Sequence, residues 1–240
     1  MALLTGEGWL FLLRWFHFLA GITWIGILYY FNLVQTPFFA ETEPAVRSGA
    51  IQKLVPRALW WFRWGAMVTF ITGWLIIFHR LGQLGWAGWW NSTYGWAITL
   101  GGILGSIMWA NVWFVIWPHQ QVVIANAVQT ARGGQPIPDA AARARRAALA
   151  SRTNVVFSIP MLFYMGAASH LPTLVRPNSV GKPWVAILAA VIIGLAEINA
   201  LVGAQGATKK PLDTIQGTLT AGFVLALVFY LMFEIFLRSM

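Results

Sequence analysis

The stretch from Trp9 to Phe39, WLFLLRWFHFLAGITWIGILYYFNLVQTPFF, decides the fold. At 1.5 Å per residue it exceeds what a hydrocarbon core of roughly 30 Å requires, so one tilted helix spans a bilayer here. A single ionisable ring, His17, lies well inside it. Steps of three or four residues from His17 reach Gly21, Trp24, Leu28, Asn32 and Gln35, which puts small and polar side chains on one face. Lipid offers Asn32 and Gln35 no partner, so that face points into protein. An imidazole at this depth is costly unless something uses it.

The rest of the chain agrees with a membrane setting. Of 240 residues, 58% are hydrophobic and 10% charged, against about 25% charged in soluble domains. The fifteen tryptophans suit bilayer interfaces. The net charge of +9 belongs to inner loops and phospholipid head groups. No basic cluster alternates with aromatics in a soluble segment, so no nucleic-acid partner is expected. The absence of cysteine excludes disulfides, iron–sulfur clusters, thiolate-bound haem and covalently attached c-type haem. Neither a basic leader nor a small-residue cleavage site precedes the first helix, which is expected to stay in the mature protein.

The expected fold class is all-α, an integral membrane bundle of about six transmembrane helices forming one domain over residues 1–240. The spans fall near 9–39, 59–79, 95–117, 153–170, 184–204 and 215–237. Pro56 suits a helix start. The glycine- and tryptophan-rich RLGQLGWAGWWNSTY reads as an interfacial loop, and Gly101 and Gly105 permit close helix approach. Residues 118–152 form a cytoplasmic helical hairpin broken at Gly133-Gly134. Asp139 suits a first turn there, and Arg143, Arg145 and Arg146 present a basic face to phospholipid.

Loops after the first, third and fifth spans hold Arg47, Lys53 and Arg57, then Arg132, Arg143, Arg145, Arg146 and Arg152, then Lys209 and Lys210. The other side holds only Arg80, Arg176, Lys182 and Arg238. This asymmetry places both termini outside, in the periplasm if the membrane is a bacterial inner membrane.

That orientation sorts the histidines by depth. His17 lies about 12 Å below the outer end of the first span by helical rise. His79 and His170 close their spans near the same face, and His119 follows Pro118 at the inner side. Helix-borne imidazoles projecting into a bundle are a usual way to hold b-type haem. His17 and His170 agree best in depth and are the expected iron ligands. His79 meets a propionate or a second haem, and Arg14, one turn from His17, pairs with a propionate or snorkels. Methionine is an alternative axial ligand, so Met161 and Met165 are candidates beside their ordinary role as core filler.

In SRTNVVFSIPMLFYMGAASH, Ser151, Asn154 and Ser158 make a second polar stripe, suited to interhelical hydrogen bonds. Arg63 lies within a span and is expected to snorkel or to pair with Glu197, while Glu234 near the outer end stays solvated.

Three stretches taken together, WFHFLAGITWIGILYYFNLVQTPFF, PRALWWFRWGA and SRTNVVFSIPMLFYMGAASH, resemble the integral-membrane domain of the bacterial urate hydroxylase family. The first also resembles, distantly, the opening helix of the small membrane protoporphyrinogen-oxidase family, in which a histidine binds haem. The first resemblance implies oxidation of urate to 5-hydroxyisourate, with electrons passed to cytochrome c. That family usually carries a c-type cytochrome domain after its last membrane helix. Without a CxxCH motif in these residues, a separate cytochrome c at the outer face is the expected acceptor. Arg57, Arg63 and Asn154 suit a planar anion with several carbonyls and are the candidate substrate contacts. The alternative is a non-catalytic or electron-relaying subunit of a larger respiratory or photosynthetic membrane complex. A transporter fits poorly, for no inverted repeat or paired broken helix is present.

Overall fold

The structure, a computed structural model, describes residues 2–238. Its longer helices are α1 (Gly6–Glu41), α2 (Pro44–Lys53), α3 (Val55–Trp90), α4 (Thr93–Ala131), α5 (Ala140–His170), α6 (Lys182–Leu201) and α7 (Ile215–Arg238). Among the described residues there is no strand. Local chemistry sets several starts. Thr5, Ser92 and Thr214 accept hydrogen bonds from the backbone N–H groups of Gly8, Gly95 and Gly217, and Pro56 and Pro183 open the first turns of α3 and α6.

Five helices, α1, α3, α4, α6 and α7, are long and apolar enough to cross a membrane. The sixth expected span, 153–170, is the second half of α5 and is more polar. The bundle explains why: α5 is the helix the others enclose, and Val155, Phe157, Ser158 and Tyr164 on it have no exposed surface. Its polar groups meet protein rather than lipid, so they need not be diluted by apolar ones.

Small residues set the spacing around this centre. A Cβ at Gly101 of α4 would lie 3.1 Å from Met165 Cε and 3.5 Å from the Met161 carbonyl. The close approach expected at Gly101 and Gly105 is therefore the α4–α5 contact, and both methionines fill it. At Gly65 of α3 a Cβ would sit 3.2 Å from the Ala20 carbonyl, which brings α1 against α3. Gly222 of α7 faces Ile159 of α5 in the same way.

Three helices contain π-helical turns: Tyr30–Gln35 in α1, Asn111–Ile116 in α4 and Glu234–Arg238 in α7. Such turns shift the backbone register and free a carbonyl at their edge. In the first two, an asparagine amide takes up the slack: Asn32 Nδ2 donates to the Leu28 carbonyl (2.8 Å), and Asn154 Nδ2 to the Met108 carbonyl (3.0 Å). At the third, the connection before α6 does so, with Ser179 donating to the Phe236 carbonyl and the Arg176 N–H to that of Leu237.

Several expectations are corrected. The loop over residues 80–94 is mostly helical. α3 runs to Trp90, broken only at Gly85 (φ +67°), because Trp89 Nε1 bonds Thr99 and Trp96 Nε1 bonds the Trp90 carbonyl, drawing the tail onto α4. In the helical hairpin over residues 118–152, α4 continues past Pro118 and α5 begins at Ala140, as expected. Asp139 is no helical acid, however: it caps α5 in the left-handed region (φ +65°) without a side-chain cap bond.

Nor do the arginines simply face phospholipid. Arg145 donates to the Ala204 carbonyl (3.0 Å) and pairs with Asp213 (2.7 Å), Arg146 donates to the Leu201 carbonyl, and Arg152 to that of Leu212. They hold the α6–α7 connection, whose carbonyls lack helical partners. Buried Lys209 joins them by donating to the Asn199 carbonyl. Burial, with Arg145 and Arg146 nearby, holds its pKa below the usual lysine value.

Candidate functional site

The polar stripe on α5 collects side chains from α1 and α4, and through α4 it is linked to α6. Asn154 Oδ1 accepts from Asn111 Nδ2 of α4 (2.9 Å), and the same Asn111 amide donates to Glu197 Oε2 of α6 (3.1 Å). Asn32 Nδ2 reaches Ser151 Oγ (2.8 Å), and Tyr29 OH meets Ser158 Oγ (2.9 Å), both from α1. The expected role of Asn154 and Ser158 as interhelical hydrogen-bonding residues is what the structure places there. Asn154 has no exposed surface, and both ends of its amide are engaged.

Arg63 does not pair with Glu197. Its guanidinium carbon stands 4.1 Å from the Trp117 ring centroid, 4.9 Å from Trp113 and 5.7 Å from Trp64. Its Nε is buried without a hydrogen-bond partner. Among the described residues no carboxylate forms an ion pair with it. The aromatic faces stabilise the charge by about 0.5–2 kcal/mol each, depending on desolvation. They leave its N–H donors free to recognise a planar anion. Arg57 is exposed six residues earlier on α3, about 9 Å along the axis. Arg57, Arg63 and Asn154 are not in contact: the first is at the surface, the second in the tryptophan cage, the third in the core.

His17 lies in the α1–α3 seam. Its Nδ1 is 3.1 Å from Thr72 Oγ1, and its ring lies against Gly73, where a Cβ would come within 3.1 Å of Cε1. The Thr72 hydroxyl already donates to the Val68 carbonyl (2.7 Å), so toward His17 it accepts. Nδ1 therefore carries the proton and Nε2 keeps its lone pair, the tautomer required of a ligand. His79 sits seven residues beyond Thr72 on the same face of α3, about 10 Å further along, and its Nε2 is buried without a partner.

His170 is exposed and its Nδ1 bonds the Gly166 carbonyl of its own helix (2.9 Å). No described contact joins it to His17. His119 meets Arg143 at 3.5 Å on the helical hairpin. Arg14 is half-buried, one turn from His17. Glu234, expected to stay solvated, accepts from Tyr230 OH (2.7 Å) and Arg238 (2.9 Å). Among the described residues no group of three His, Cys, Asp or Glu side chains converges on a metal site.

Sequence reasoning missed Asn111, Trp113, Trp117 and Thr72. Asn111 carried a visible signal, an amide inside an apolar span. The tryptophans did not, because their role depends on which face of α4 meets Arg63.

A family model described as urate oxidase N-terminal matches residues 89–232, which covers α4 to the greater part of α7 and includes Asn111, Asn154 and Glu197. No curated protein and no solved structure shows a match to the chain.

Proposed function

This chain belongs to the urate oxidase N-terminal family, and from that premise we propose that it is a membrane oxidoreductase that oxidises urate. The observation that carries the reading is Arg63, a guanidinium inside a membrane helix with three tryptophan faces and no ion-paired carboxylate among the described residues. Urate is a flat anion with carbonyl oxygens on its edges. Arg63 pairs with one such edge through two parallel N–H donors, while an indole face stacks on the ring. Exposed Arg57, on the same helix, draws the anion toward the membrane. Addition of water's oxygen to urate gives 5-hydroxyisourate with two electrons and two protons.

His17 would hold a b-type haem. Nε2 would be the ligating atom, with the Thr72 oxygen fixing the ring and its tautomer. The orphaned Nε2 of His79 and the nearby Arg14 are the other groups of this seam suited to iron or propionate. Haem, when bound, supplies one-electron transfer between the substrate and a separate cytochrome c at the outer face. In this reading the protein sits in a bacterial inner membrane with both termini periplasmic, in keeping with its cation asymmetry.

The test is purification in mild detergent, a visible spectrum, and urate-dependent reduction of that spectrum. Arg63→Gln is expected to raise the KM for urate at least tenfold, with Arg63→Lys failing to restore it. His17→Ala is expected to abolish the b-type spectrum. A haem spectrum that urate never reduces would make this an electron-relaying subunit instead, and colourless protein would remove the redox reading.

A further inference from the structure

Between α4 and α6 the helices stand apart and leave a groove of about 930 Å³. Hydrogen bonds close its two ends. At one, Lys182, the first residue of α6, donates to Asn91 Oδ1; beyond the other, Asn111 of α4 donates to Glu197 of α6. The α4 wall runs from Trp96 to Ile107, about 16 Å of helix. That is the depth of one leaflet, half of a hydrocarbon core of about 30 Å. The α6 wall is kept low by Ala186, Ala190 and Gly194, which recur every four residues along one face.

Width decides what fills this slot. Its 930 Å³ divided by 16 Å gives a cross-section of at most about 58 Å². A transmembrane helix, about 10–12 Å across, occupies roughly 80–110 Å², so neither a second copy nor a partner's helix seats here. Two extended hydrocarbon chains side by side do fit, whereas a single chain leaves part of the walls without contacts. The carboxyl beside the groove makes no demand on its occupant, since Glu197 already accepts from Asn111.

The chemistry changes at the Lys182 end. One of the three ammonium donors is used by Asn91 and two remain, and among the described residues no carboxylate forms an ion pair with this lysine. The N-terminus of α6 favours an anion at the same point. Trp90 lines the groove beside Asn91, and its indole N–H has no partner among the described residues. These groups suit an anionic oxygen at the membrane surface with further acceptor oxygens just below it. A phosphate followed by glycerol ester carbonyls presents both in that order. We infer that the α4–α6 groove binds one anionic phospholipid of the leaflet at the Lys182 end, its phosphate on Lys182 and its two acyl chains between Leu100, Ile103 and the alanine face of α6. The lipid replaces direct packing of α4 on α6 over that leaflet. A net-negative head group is favoured over a zwitterionic one because the ammonium repels the added positive group. The inference stands independently of the redox reading.

Protein purified in mild detergent is exposed to equimolar phosphatidylglycerol and phosphatidylcholine with the same acyl chains, and bound lipid is counted by native mass spectrometry. One phosphatidylglycerol per chain is expected to survive detergent exchange, favoured about fivefold over phosphatidylcholine. Lys182→Gln is expected to remove that preference while a lipid still binds. Ala190→Phe or Ala186→Phe is expected to abolish retention of both lipids; each position is exposed in the groove, so helix content stays unchanged. Leu195→Phe, on an exposed part of α6 outside the groove, is the control expected to keep the lipid. Equal retention in the two groove variants overturns the site, as does unaltered protein that keeps no lipid, or that keeps a quinone or single-chain amphiphile instead. Equal binding of the two lipids by unaltered protein overturns the head-group assignment.

Discussion

Replacing Asn154 by alanine tests whether α5 organises the bundle through hydrogen bonds. The side chain has no exposed surface, accepts from Asn111 and donates to the Met108 carbonyl beside the π turn of α4. Interhelical hydrogen bonds in membranes contribute on average about 0.6 kcal/mol and at most about 1.7. Two of them therefore account for about 1–3 kcal/mol. The substitution also strips Asn111 of one acceptor and leaves a carbonyl at the edge of an irregular turn unpaired, which costs about 1 kcal/mol more. The expected destabilisation is about 2–4 kcal/mol, read from reversible unfolding in mixed micelles. A cycle with Asn111→Ala isolates the pair, with an expected coupling of about 1 kcal/mol. A loss below about 0.5 kcal/mol, or a coupling indistinguishable from zero, would refute the claim that these amides stabilise the π turn rather than merely occupying space beside it. Met161→Leu serves as a core change of similar volume and is expected to cost less than about 1.5 kcal/mol.

Thr72→Val removes the acceptor that fixes the His17 tautomer while keeping the side-chain shape. It is expected to weaken haem retention about 10- to 100-fold, measured by transfer to apomyoglobin, with helix content unchanged. Gly101→Leu places a side chain where Met165 Cε would lie 3.1 Å from the first added carbon, and is expected to cost about 1–3 kcal/mol by separating α4 from α5. Lys209 predicts a pH effect. Its folded pKa lies below the usual 10.5, so between those two values the unfolded chain binds more protons and stability rises with pH. Lys209→Met is expected to flatten that rise in a denaturation series, and an unchanged slope would count against the burial of this ammonium.

Apolar runs and a few polar interruptions were enough to read the helices from sequence. The stripe of Ser151, Asn154 and Ser158 announced a face buried in protein, and Gly101 with Gly105 announced a close neighbour. The identity of each partner was not legible, because periodicity fixes the face of a residue and not the helix opposite it. Sign alone makes Glu197 one possible partner of Arg63 beside snorkelling, whereas Asn111 reaches the carboxyl and α4 turns Trp113 and Trp117 toward the guanidinium. The charge run of Arg145 and Arg146 suggests a lipid-facing surface, for nothing in it reveals that an irregular connection between α6 and α7 lies beside it. His170 shows the same limit at a helix end: depth matched His17, but the ring folds back onto its own last turn.

The seam between α1 and α3 bears on assembly. Synthesis proceeds at about 5–20 residues per second, so Thr72, 55 residues after His17, emerges roughly 3–11 s later. During that interval α1 sits in lipid with the His17 imidazole lacking the threonine that later fixes its proton. The orientation of this ring is therefore set only when Thr72 arrives, and a chain interrupted before α3 would insert its first helix with the imidazole unfixed.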